Sequence, residues 1–77
     1  MINIIQIMSV YQASVIDALE TKGESLTVRQ IMEFKSIPHS KNTYVISAVK
    51  KLLEDNKIYI VKRGDRKTLW MDTYVSL

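Results

Sequence analysis

Four cations, Lys62, Arg63, Arg66 and Lys67, stand on either side of Gly64-Asp65. Arginine forks match the oxygens of a phosphate, and lysine adds a mobile point charge, so the cluster suits contact with a polyanion. Upstream, Ser40, Lys41, Asn42, Thr43, Tyr44, Ser47, Lys50 and Lys51 bring hydroxyls, a carboxamide and ammonium groups. Such groups can hydrogen-bond base edges and phosphate oxygens: asparagine pairs with adenine, and threonine or tyrosine touches a thymine methyl or a phosphate. A solvated helix face and a charged hairpin tip are the ordinary explanations of either set alone.

Catalytic constellations are not evident. His39 is the only histidine, beside Pro38, and the chain has no cysteine. A turn position explains His39 better than metal ligation, and no thiolate site or disulfide framework can form. Asp17 and Glu20, like Glu54 and Asp55, read as solvated charge on helix faces, not as an acid–base pair. No glycine-rich phosphate loop and no nucleophile with histidine and carboxylate partners occurs. The expectation is a protein that is not an enzyme and uses no metal, cofactor or small-molecule ligand.

Charge is unevenly spread. The net charge is +3, but residues 1–34 carry −2 and residues 35–77 carry +5. That asymmetry suggests one face made for a polyanion. With 77 residues, 47% of them apolar and 25% charged, the chain reads as a single small globular domain, too short for a separate effector domain. Residues 1–8 are rich in isoleucine, yet they lack a basic leader and are too short to span a bilayer. A cytoplasmic protein is expected.

The elements that would position these residues follow from periodicity. From Ser9 to Lys22, Val10, Ala13, Val15, Ile16 and Leu19 keep helical spacing, with Ser9 and Gln12 spaced as a capping box and Gly23 as the stop. Residues 1–8 fit either an extension of this helix or a separate strand. A second helix starts at Thr27, which has capping-box spacing to Gln30, and would bury Val28, Ile31, Met32 and Phe34 before ending ahead of Pro38. A third begins near Ser40, the expected N-cap. It places Val45, Ile46, Val49, Leu52 and Leu53 on one side and Ser40, Thr43, Tyr44, Ser47, Lys50 and Lys51 on the other.

Residues 57–62 and 68–72 alternate as strands, with Gly64-Asp65 as a type II′ turn between them. In that register Arg63 pairs with Arg66, Ile60 with Leu69 and Ile58 with Met71 on one face. Tyr59 pairs with Trp70 and Val61 with Thr68 on the other. A longer, looser connection is the alternative.

This order resembles the winged helix-turn-helix domain of bacterial, archaeal and phage regulators. The resemblance rests on Leu26-Thr27-Val28-Arg29-Gln30-Ile31, on Val49 to Ile58, and on the hairpin with Leu69-Trp70. It implies an α+β, mostly α fold: three helices with a C-terminal β-hairpin wing, 27–56 as helix-turn-helix and 57–73 as wing. Asn56 stands where many members carry glycine, and asparagine tolerates the left-handed geometry required there. The resemblance implies sequence-specific double-stranded DNA binding by a transcriptional regulator, with helix 40–56 in the major groove and the wing on backbone or minor groove. Apolar residues at both ends suggest a homodimer through residues 1–8, Tyr59, Trp70 and the C-terminus. The rival readings are a protein-interaction module, marked by an exposed Tyr59, Val61 and Trp70 patch with a blocked third helix, and a single-stranded nucleic-acid binder.

Overall fold

The computed structural model describes residues 4–77, with side chains from Ser9 onward. Three helices, α1 (Ile4–Lys22), α2 (Val28–Phe34) and α3 (Asn42–Glu54), pack with three short strands, β1 (Leu26–Thr27), β2 (Tyr59–Lys62) and β3 (Tyr74–Ser76). The strands form an antiparallel sheet in the order β1-β3-β2. The fold is α+β and mostly helical, compatible with a winged helix carrying a C-terminal hairpin. No described helix is long and apolar enough to cross a membrane.

Helix α1 runs unbroken through Ser9, so the Ser9–Gln12 capping box does not form. The backbone of residues 4–8 is helical, while residues 1–3 and the side chains of residues 1–8 lie outside the described residues, as does any dimer contact they make. Val15, Ala18 and Leu19 form the buried stripe, whereas Val10 is 61% exposed. At about 100° per residue, Val10 falls on the far side of the helix from Val15. Gly23 ends the helix with φ +65° and its amide bonded to the Leu19 carbonyl at 3.0 Å.

The expected capping box of α2 is present: the Thr27 hydroxyl accepts from the Gln30 amide, and the Gln30 side chain accepts from the Thr27 amide, each at 3.0 Å. Val28, Ile31 and Met32 are buried as expected. Phe34 is not. It lies off their arc, is 42% exposed, and carries the Lys22 ammonium 5.4 Å from its ring centroid. An ion pair at 2.6 Å between Lys35 and Asp17 ties the end of α2 to α1.

Both α2 and α3 end in the same way, with the amide two residues past the cap reaching back inside the helix. Ile37 donates to Met32 and Lys57 to Leu52, each at 2.9 Å. This geometry needs a left-handed residue, supplied by Ser36 (φ 55°) and Asn56 (φ 57°). Serine pays about 1–2 kcal/mol in that region, and glycine loses roughly 0.5–1 kcal/mol to its freer unfolded chain. Ser36→Gly is therefore expected to stabilise the domain by about 0.5–1 kcal/mol in urea denaturation. No gain would mean that the Ser36 side chain makes a compensating bond in solution.

The core joins Val15 and Leu19 of α1, Leu26, Val28, Ile31 and Met32 of the β1–α2 segment, Val45, Val49 and Leu52 of α3, and Ile58 and Val75 beside the sheet. Val75 is fully buried between Leu26 and Ile60, its partners on the two neighbouring strands. It is the side chain that stitches the sheet to the helices.

Candidate nucleic-acid interface

The approach to α3 differs from expectation at its start. A 3₁₀ turn, His39–Lys41, follows Pro38, and α3 begins only at Asn42. No side-chain hydrogen bond caps either element, so Ser40 is an exposed turn residue and not an N-cap. Asn42 is half-buried and accepts from the Thr43 hydroxyl at 3.3 Å. That bond commits part of the amide locally, while Thr43 remains exposed.

Tyr44 has a structural partner that sequence reasoning missed. Its ring stacks on Tyr11 of α1, with centroids 5.7 Å apart and planes 5° from parallel. Lys41 places its ammonium 5.5 Å from the Tyr44 centroid. The stack fixes the N-terminal half of α3 against α1 and leaves Tyr44 38% exposed. One turn on, Ser47 is half-buried, and the outward face continues through exposed Lys50. Lys51 is held 3.5 Å from Asp55 on the same helix. Its charge is thereby partly offset at the surface.

The hairpin is the largest correction. Strand β2 pairs not with 68–72 but with Tyr74–Ser76: Tyr59 lies opposite Ser76, Ile60 opposite Val75, and Lys62 opposite Tyr74 after an irregularity at Val61. The pairs Arg63–Arg66, Ile60–Leu69, Ile58–Met71, Tyr59–Trp70 and Val61–Thr68 therefore do not form. Gly64 is not left-handed either, so the II′ turn is absent. Instead, residues 63–73 make a long ordered loop between the strands.

Polar contacts explain why 68–72 turns instead of extending. The Asp65 carboxylate accepts from the amides of Lys67 (3.0 Å) and Thr68 (2.9 Å). The Thr68 hydroxyl lies within reach of both Asp65 and Asp72, with one proton to donate between them. Asp72 also receives Arg29 of α2 at 3.3 Å, linking the loop to the helical body. Thr73, fully buried, donates its hydroxyl to the Leu69 carbonyl and accepts the Gly64 amide at 3.0 Å. Gly64 is required by crowding: a Cβ there would come within 2.7 Å of the Leu69 carbonyl oxygen.

These bonds bear on pH. The Thr68 amide, with the Lys67 amide and a share of the Thr68 hydroxyl proton, holds the Asp65 carboxyl below its usual range. The Thr68 hydroxyl, then Arg29, do the same for Asp72, against repulsion from Asp65. A carboxyl lowered on folding stabilises the fold above its unfolded value, and that contribution is lost as pH falls through the lowered folded value. Protection of the Lys67 and Thr68 amides, taken relative to the unfolded-chain exchange rate at each pH, is expected to persist through mildly acidic pH and to be lost only below the ordinary aspartate range. Asp65→Asn should remove most of that acid step. Loss of that protection already near neutral pH would contradict this account of the loop.

The loop carries the cations where they can meet a partner. Lys62, Arg63, Arg66 and Lys67 are all exposed. Trp70, expected on the outer face beside Tyr59, instead packs against the core, and Lys50 of α3 places its ammonium 5.4 Å from the Trp70 ring centroid. Lys50, Arg63 and Trp70 border one open groove of about 510 Å³, with Leu53, Ile58 and Ile60 among its other walls. No family model, curated protein or solved structure matches this chain. Among the described residues no cluster of three or more histidine or acidic side chains is placed to hold a metal ion.

Proposed function

We propose that this chain is a cytoplasmic, sequence-specific double-stranded DNA-binding protein acting as a transcriptional regulator. The observation that carries the reading is the meeting of two cationic elements: Lys50 on the outward face of α3 and Arg63 at the root of the basic loop border one groove. Ser40, Lys41, Thr43 and Lys50 are exposed along one route into α3, and Arg66 and Lys67 lie farther out on the loop. A helix can enter the major groove of a duplex while a flanking loop contacts the backbone or minor groove. On this reading Thr43, Ser47 and the free edge of Asn42 read bases, and Lys41, Lys50, Lys62, Arg63, Arg66 and Lys67 neutralise phosphates.

The test is binding to random-sequence duplex DNA across a salt series, with selection of the retained sequences. The expected result is micromolar background binding that weakens steeply with salt, together with an enriched site. No duplex binding even at low salt would overturn the proposal. Equal or tighter binding to single strands would transfer it to a different nucleic acid.

A further inference from the structure

We infer that the free edge of β2 and the groove beside it form a docking site for an extended peptide segment of acidic and apolar character, which adds to the sheet as a fourth strand. This inference goes beyond DNA binding: the peptide and a duplex would meet the same Lys50–Arg63 border, so the two ligands would compete for it. In the order β1-β3-β2, strand β2 is outermost, and no described strand lies along its second edge. The groove is bordered by Ile58, Tyr59 and Ile60 in succession. Tyr59 and Ile60 are consecutive residues of β2 and point to opposite faces, so a cleft that touches both runs along the backbone edge, with Ile58 at the entry to the strand. The opposite wall is α3, through Lys50 and Leu53, and Trp70 and Arg63 complete the border.

The chemistry of the border selects the occupant. Unpaired main-chain groups of an edge strand supply hydrogen bonds to any extended backbone, and side-chain pockets then set the sequence. Here the pockets are apolar (Leu53, Ile60, Trp70), while the nearby charge is mainly positive: Lys50, Arg63 and Lys62 against Glu54. Tyr59 and Val61, 57% and 52% exposed, add apolar surface along the strand. A second copy of β2 is a poor partner, because antiparallel pairing would bring Lys62 and Arg63 toward the Lys57 end of its twin. The irregularity at Val61 also spoils a regular self-match. An acidic segment with alternating apolar residues satisfies the backbone, the pockets and the charge together.

The probe is a short synthetic peptide alternating glutamate and valine, with a lysine–valine peptide and a short DNA duplex as comparisons. The readouts are emission from Trp70, the chain's only tryptophan, and hydrogen exchange of the amides from Ile58 to Arg63. The glutamate–valine peptide is expected to shift the emission and slow exchange along β2, and the lysine–valine peptide to do neither. In the charge-reversed pair K50E/R63E, both on the surface, preference should invert, with at least about tenfold weaker binding of the acidic peptide. Equal binding of the two peptides, or an emission change without protection of β2, would overturn the proposal. Stronger protection of the same amides by the duplex would assign the groove to nucleic acid instead. Protection that rises with protein concentration and needs no peptide would assign it to a second copy.

Discussion

Arg63→Ala with Arg66→Ala is expected to weaken binding to every duplex sequence by about 60-fold at 0.1 M salt. It should also flatten the slope of log affinity against log salt by roughly 2. The size follows from counterion release: each phosphate neutralised contributes about 0.9 to the slope, hence close to one decade at that salt concentration. Both side chains are exposed, and no hydrogen bond or ion pair within the described residues engages either guanidinium. The double variant should therefore melt with the parent, which separates lost contact from lost fold. Thr43→Ala gives the contrasting signature. A hydroxyl on the outward face of α3 that reads a base should cost about 1–3 kcal/mol at one position of the site and leave the salt slope unchanged. If the arginine variant keeps both affinity and slope, the loop is not on the DNA. If Thr43→Ala alters the slope and not the sequence preference, α3 is a backbone contact only.

The helical half of the molecule was legible because its signals are local. The Thr27–Gln30 capping box, the Gly23 stop, the left-handed Asn56 and the Val45–Val49–Leu52 stripe all formed where spacing placed them. The hairpin was misread because alternation cannot choose between competing strands in one chain. Residues 68–72 alternate, but Thr68 and Asp72 find local partners in Asp65 and Arg29 that an extended strand would break. A usable signal lay a few residues on. Thr73-Tyr74-Val75-Ser76 is rich in strand-forming types and also alternates, and Val75 is the side chain the core takes. The pairing of Leu26–Thr27 with that segment spans most of the chain, beyond the reach of any local pattern. For the site, the residue types were readable, but their grouping was not. The Trp70–Lys50 contact depends on the loop folding back, and the Tyr11–Tyr44 stack depends on how α1 crosses α3.

Thr73→Val is expected to lower stability by about 1–3 kcal/mol, out of a total of roughly 5–10 kcal/mol for a domain of this size. The change preserves shape and removes only a hydroxyl, so it creates no cavity. What it leaves are two backbone groups that the hydroxyl had joined, the Gly64 amide and the Leu69 carbonyl. Thr73 itself is fully buried, so water cannot take the place of its hydroxyl without opening the loop. Opening would release the root of the basic loop, because Gly64 sits between Arg63 and Asp65 and has no spare room around it. Two measurements separate the consequences. Urea denaturation should give the loss in stability, and exchange at the Lys67 and Thr68 amides should rise well above what global unfolding allows. DNA affinity should fall through a faster off-rate, with the salt slope nearly retained, since every cation is still present but less pre-positioned. Thr73→Ser, which restores the hydroxyl and loses one methyl, should recover the slow exchange while leaving a smaller deficit from packing. If valine is tolerated and the loop amides stay protected, the Gly64–Thr73–Leu69 bridge does not hold the basic loop. The order of residues 63–73 would then have to come from the Asp65, Thr68 and Asp72 contacts and from the packing of Trp70 on the core.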